Sequence, residues 1–227
     1  MEQTLTPIQQ QQAALDVFQD LATDPMLAVL DTETTSLNGE VIELGIVDAW
    51  GKTLFSARMR PSCPVTPESQ EIHGISDADL AGLPTIAHFW PEIREALRGR
   101  HVAIFNARFD WPRLLRSLDQ NLPDCPDHDF ALVADLVERT TCVMRAYAPV
   151  YGAWRSAGRS GRGAYRVPKL ALACEQRGVD TSDLCKHAAL DDALQTLRLI
   201  QATAALEPAD VPWIGNEHEL LAKAAGA

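Results

Sequence analysis

No stretch of the 227-residue sequence reaches the ~18 uninterrupted apolar residues that a membrane-spanning helix needs. The opening MEQTLTPIQQQQ lacks the basic-then-apolar pattern of a secretory signal. The five cysteines (Cys63, Cys125, Cys142, Cys174, Cys185) are odd in number, scattered, and never in a Cys-x-x-Cys pair. A disulfide framework and a zinc site are thereby disfavoured. Free thiols fit a soluble cytoplasmic protein with no membrane partner. Positive charge is also in deficit, with a formal net charge of −11. Affinity for nucleic acid comes largely from neutralising phosphates, so any such contact must come from a local concentration of basic residues. No internal repeat and no interdomain linker stand out.

What is present is a chain 46% apolar, enough for a sizeable core. Residues 7–22 read as a helix, with Pro7 suited to its first turn and Ile8, Leu15, Phe18 and Leu21 forming a partial stripe. Three strands follow, at 27–30, 41–49 and 53–60, with Gly51 marking the turn between the last two. The middle strand carries Glu43 among apolar neighbours. Residues 62–75, with Pro64 and Pro67, read as loop, and 76–80 as a short capped helix. Helices are expected at 89–97, 112–118, 136–147, 170–176 and 188–205, and strands at 101–105 and 130–133. Residues 149–168, rich in Gly, Ser and Arg, read as loop. Strands first, then strands alternating with helices, imply an α/β fold built on a mixed β-sheet. The expected division is an N-terminal helical extension (1–26), one domain (27–205) and a tail (206–227).

Three places carry acids where a chain normally buries apolar groups. In LAVLDTETTSL the run Leu27–Leu30 ends in Asp31-Thr32-Glu33. Side chains at i and i+2 of a strand share a face, so Asp31 and Glu33 can converge on one ion, although Asp-Thr is also an ordinary turn signal. Hard divalent cations take such oxygen ligands, and paired carboxylates repel unless a cation or proton neutralises them. His101–Phe105 leads into Asn106, Phe109 and Asp110; an acid there also suits a helix N-terminus. In CKHAALDDALQ, His187 precedes a helix bearing Asp191 and Asp192, which could equally complement that helix's start.

DTETT, NARFD and HAALDDA, in this order, resemble the three exonuclease motifs of the DEDD family. The histidine places the chain nearest the histidine branch, which includes the DnaQ-like proofreading subunits of DNA polymerase III. EIHGISDADLAGLP and KLALACEQRGVD resemble segments of the same branch, so the likeness runs from Leu27 to Ile200. Phe105 departs from the histidine the family often has there. The resemblance implies a ribonuclease H-like sheet flanked by helices. It also implies a 3′→5′ exonuclease that releases nucleoside 5′-monophosphates from single-stranded ends, DNA more than RNA. Asp31, Glu33, Asp110 and Asp192 match ligands of two ions, Mg²⁺ or Mn²⁺, and His187 matches the general base. The branch separates its last His and Asp by four residues, which selects Asp192 and leaves Asp191 on the helix surface. Thr34, Thr35, Leu37, His73, Asn106 and Phe109 are the expected contacts to the terminal nucleotide.

Residues 139–174 contain no Asp or Glu but hold Arg139, Arg145, Arg155, Arg159, Arg162, Arg166 and Lys169, with Tyr151, Trp154 and Tyr165 interleaved. Charge interleaved with stackable rings is the makeup of a single-strand contact surface, and equally of a solvated loop or a docking arm. The competing readings are an RNA-trimming enzyme of the same branch and a binding module without turnover. The resemblance fits either a stand-alone nuclease or a proofreading subunit with a DNA polymerase as partner. The Gln12–Leu15–Phe18 spacing also suits a sliding-clamp peptide or a plain amphipathic helix.

Overall fold

The computed structural model describes residues 5–122, 127–155 and 164–211. They divide into two units, each drawn from separate parts of the chain.

The larger unit holds residues 24–142 and 181–197. Its sheet comprises β1 (Leu27–Thr34), β2 (Val41–Asp48), β3 (Thr53–Arg58), β4 (His101–Ile104) and β5 (Thr140–Cys142) in the order β3-β2-β1-β4-β5. β3, β2 and β1 run antiparallel, whereas β1, β4 and β5 run parallel. The central strand explains its own composition: Leu27, Ala28, Val29 and Leu30 are all buried, so no polar alternation survives there. α2 (Pro67–His73), α3 (Asp77–Leu80), α4 (Ile86–Leu97), α5 (Ala107–Asn121) and α6 (Asp127–Glu138) complete the unit with the start of a further helix described below. Ile86, Trp90, Ile93 and Leu97 make one face of α4, and Trp111, Leu114 and Leu118 one face of α5. Both faces join Leu30, Leu44, Ile46, Val102 and Ile104 in the main core. Each such side chain contributes roughly 1.5–3 kcal/mol on burial.

The other unit holds the described residues of 1–23, 143–180 and 198–227. Within it lie α1 (Pro7–Thr23), α7 (Val143–Tyr151), the antiparallel pair β6 (Trp154–Arg155) and β7 (Ala164–Tyr165), and α8 (Leu170–Arg177). α1 meets α7 through an edge-on contact of Phe18 with Tyr147, whose hydroxyl donates to Gln176 Oε1 at 2.6 Å. α9 (Ala189–Ala204) begins in the larger unit and ends in this one.

The mixed sheet is the α/β arrangement expected, and four local differences have physical causes. Residues 67–73 are helical, not loop: Thr66 accepts the Ser69 N–H, Pro67 sits in the first turn, and Gly74 (φ 74) closes the end in the left-handed conformation. Residues 130–133, expected as a strand, belong to α6; Val133 and Leu136 are spaced for a helix face and are buried. The strand is the short, half-buried Thr140–Cys142, which cuts the expected helix 136–147 in two. α4, α5 and α7 run through Pro91, Pro112 and Pro149; Pro112 and Pro149, read as the start of a helix and of a loop, thus lie inside helices.

Candidate active site

β1 sets the frame. Asp31 stands opposite Gly45 of β2, and Glu33 opposite Glu43, before a register shift at Glu33/Thr34. With period-2 alternation, the face that carries Asp31 and Glu33 also carries the positions of Gly45 and Glu43. A side chain cannot be added at Gly45: a Cβ there would lie 2.4 Å from both N and Cα of Leu190. The first turn of α9 therefore rests directly on β2, next to the two acids of β1. This brings Asp192 and His187 into their neighbourhood.

One ligand atom each from Glu33, His187 and Asp192 lies within 4.8 Å of the others. Asp31 and Asp110 surround this cluster electrostatically. Asp31 is held well above the usual carboxylate range by burial first, then by the charges of Asp110, Asp192, Glu33 and Glu43. Burial, with Asp192, Glu43 and Asp110, pushes Glu33 up to about 8. Asp110, 3% exposed in the first turn of α5, is pushed up to about 7 by burial. Hydrogen bonds oppose that rise; the Thr32 hydroxyl donates to Asp110 Oδ1 at 2.8 Å. Asp192 is raised by burial, against the nearby charge and backbone hydrogen bond of His187. Acids driven up by burial and by one another form a site short of positive charge. An oxygen-rich donor set with one imidazole fits Mg²⁺ or Mn²⁺.

His187 sits just before α9 with φ 58, the one non-glycine residue in the left-handed region among the described residues. Asp191 faces differently from Asp192: its Oδ2 accepts the Cys185 N–H at 2.9 Å and so ties down the loop before the helix.

Beside the cluster opens a cleft of about 630 Å³ lined by Glu33, Thr34, Leu37, Ile72, His73 and Phe109, among others. Leu37 is 77% exposed at its mouth. The His73 ring is held on both sides. Nδ1 accepts the Ile75 N–H at 3.0 Å, so Nε2 carries the proton toward Thr34 O at 3.2 Å, and burial keeps the ring below its ordinary pKa. His73 thus offers the cleft its ring rather than a free nitrogen. Arg113 lies 4.3 Å over the Phe109 ring and donates to Leu37 O and Asn38 Oδ1, bracing the cleft rim. Two expected contacts lie elsewhere: Thr35 is buried, with Oγ1 accepting the Glu40 N–H at 3.0 Å, and half-buried Asn106 precedes α5 without lining the cleft.

The basic stretch belongs to the other unit. Trp154 and Tyr165 pair across β6 and β7 with rings 4.9 Å apart, edge to face, and Arg166 is exposed beside them. Arg155 lies in β6; Arg159 and Arg162 fall outside the described residues.

Glu43 is the residue that motif reading passed over. Its signal was a lone acid in the otherwise apolar VIELGIVD of β2. Thr32, between the two motif acids, was equally overlooked.

Comparison with known proteins agrees with this geometry. A model of the RNase_T exonuclease family matches residues 28–200. An uncharacterized exonuclease of Escherichia phage 186, CP81, is 30% identical over 181 residues, covering 77% of this chain and 86% of that protein. DNA polymerase III subunit epsilon of Escherichia coli K12 is 36% identical over 94 residues; the match spans 36% of this chain and 39% of that subunit. Exonuclease X, solved in complex with 5′-overhanging duplex DNA, superposes with a TM-score of 0.55 at 24% identity, covering 82% of this chain and 97% of that one. The sheet is thus of the ribonuclease H-like kind. With most of its length inside the family model and its acids gathered around the central strand of that sheet, the chain belongs to the DnaQ-like DEDD exonuclease family.

Proposed function

We propose that this protein is a 3′→5′ exonuclease that hydrolyses the terminal phosphodiester bond of single-stranded DNA and releases nucleoside 5′-monophosphates. The observation that carries the reading is the meeting of Glu33, His187 and Asp192 within 4.8 Å, beside Asp31 and Asp110. Asp31, Glu33, Asp110 and Asp192 would hold two Mg²⁺ or Mn²⁺ ions. Bound there, such ions supply charge neutralisation for an in-line displacement at phosphorus and lower the pKa of water. The chain's own residues do the rest. His187, exposed within the cluster, accepts the attacking water's proton at its imidazole nitrogen. Thr32 fixes Asp110 by its hydroxyl, and Arg113 fixes the rim on which Leu37 meets the terminal base. The Phe109 ring and the His73 face line the cleft that receives the last nucleotide.

Arg155, Arg159, Arg162 and Arg166 would contact nucleic-acid phosphates, with Trp154 and Tyr165 as stacking surfaces. A polymerase partner, and hence a proofreading role, is supported by the likeness to the epsilon subunit over residues that amount to 36% of this chain.

The test is digestion of 3′- and 5′-labelled single strands, DNA beside RNA, with Mg²⁺, Mn²⁺ or EDTA. Stepwise loss from the 3′ end of DNA is expected with either metal and none with EDTA. Asp31→Ala and His187→Ala should each remove most of the activity. Cleavage that persists in EDTA, or that starts at the 5′ end, refutes the reading. Faster digestion of RNA would move the substrate to RNA ends.

A further inference from the structure

β2 carries a carboxylate to which the chemistry above gives no task. In the sheet register Glu43 stands across from Glu33 on one side and Arg58 on the other. Its two oxygens point to different partners. Oε1 accepts from Arg58 Nε at 2.7 Å, and Oε2 accepts from the Ala189 N–H at 2.8 Å. With both oxygens engaged, Glu43 is not arranged as a further ligand.

Ala189 opens α9, and its amide is one of those at a helix start with no acceptor inside the helix. A carboxylate at that point also meets the positive end of the helix dipole. Two residues along the same strand, Gly45 leaves the gap into which Leu190 settles. β2 therefore supplies both the seat and the anchor for this turn. The anchored residue lies two positions after His187 and three before Asp192. His187 holds a left-handed backbone, which persists only where the surroundings enforce it. A fifth acid adds repulsion to a cluster already crowded with charge, so its presence calls for a compensating role. Arg58, its partner across the strand, offsets part of that charge.

We propose that Glu43 is a positioning residue: clamped by Arg58, it fixes the first turn of α9 and thereby sets His187 and Asp192 against Glu33. The proposal rests on the nuclease reading for its kinetic consequence but not for its structural one. The experiment uses the full chain with Glu43→Ala, Glu43→Gln and Arg58→Ala. Backbone hydrogen exchange of residues 187–193 is followed without metal, and kcat and KM are measured on a 3′-labelled single strand with Mn²⁺.

Glu43→Ala should lower kcat about 10- to 100-fold, the usual cost of losing a group that orients a metal ligand, with KM little changed. Exchange should quicken in 187–193 and not in β1. Glu43→Gln keeps an oxygen for the Ala189 amide but turns its NH2 toward Arg58, and should recover part of the rate. Unchanged exchange at 187–193 in Glu43→Ala overturns the proposal, as does a fall in melting temperature with kcat intact. Equal kinetic loss in the Ala and Gln variants overturns it too. If Glu43→Ala does not fold, Arg58→Ala is read instead, and unchanged exchange there is equally fatal. A wild-type protein without nuclease activity, or an Asp31→Ala variant at full rate, would defeat the functional reading while leaving the exchange result to stand or fall alone.

Discussion

Replacing Asp110 with asparagine should stabilise the metal-free protein while abolishing its activity. Asp110 is 3% exposed, and burial pushes it up to about 7 from an ordinary value of 3.8. Below the ordinary value, folded and unfolded chains both hold the proton and nothing is lost. As pH rises through that value the unfolded chain ionises first. Folded-state stability then falls until the buried group also ionises near 7. The interval from 3.8 to about 7, at about 1.4 kcal/mol per pH unit, sets an upper limit of about 4 kcal/mol. Asparagine is nearly the same shape, and its Oδ1 can still accept the Thr32 hydroxyl. It also removes one of the charges that press on Asp31. In EDTA at pH 8 the variant should exceed wild type by about 2–4 kcal/mol, or roughly 4–16 °C in Tm for a chain of this size. At pH 5 less than half of that advantage should remain. Saturating Mn²⁺ should shrink it at pH 8, because the wild type gains about 2.7 kcal/mol at a hundredfold excess over Kd and the variant gains less. Thermal melts followed by circular dichroism at both pH values, with and without Mn²⁺, measure all of this. An Asp110→Asn variant that melts below wild type in EDTA at pH 8, or an advantage that does not change between pH 5 and pH 8, refutes the reasoning.

The neighbouring acids of α9 should separate cleanly: Asp192→Asn is expected to cost at least about 10- to 100-fold in cleavage rate, whereas Asp191→Asn, which loses only an acceptor for the Cys185 amide, stays near wild type in the same assay. His187→Gly should lose most of the activity yet melt higher, since the left-handed backbone costs a side-chain-bearing residue about 1–2 kcal/mol and glycine offsets only part of that gain in the unfolded chain. Ser117→Ala leaves the Val41 N–H, now bonded to Ser117 Oγ at 2.7 Å, without a buried acceptor, and chemical denaturation should show a loss of about 1–3 kcal/mol.

The sheet's central strands were legible because their burial leaves long apolar runs, and the acids were legible because they interrupt those runs. Asp192 could be chosen over Asp191 only through the family's spacing. The physical ground for the choice is the seat at Gly45, which no pattern in 187–192 reveals. Glu43 was visible as an oddity in β2 but not as a partner of Ala189, which lies 146 residues further along the chain. The helix at 67–73 was missed because Pro64 and Pro67 read as loop signals, although Thr66 and Gly74 bracket it with good caps. β5 was missed because Thr140–Cys142 is three residues long and half-buried, so tertiary pairing with β4 creates it rather than any preference of its own. Thr35 shows the opposite error: a hydroxyl beside a motif looked available, yet it closes the turn onto Glu40.

The bare backbone at Gly45 works like a detent. Successive residues of a helix are rotated by about 100°, so turning α9 by one position would exchange the inward acid for its neighbour. The notch in β2 admits the backbone of Leu190 in one azimuth, which makes the strand, and not the preceding loop, the gauge of that rotation. Insertions or deletions in 181–186 should therefore be tolerated across related chains far more readily than any enlargement of residue 45.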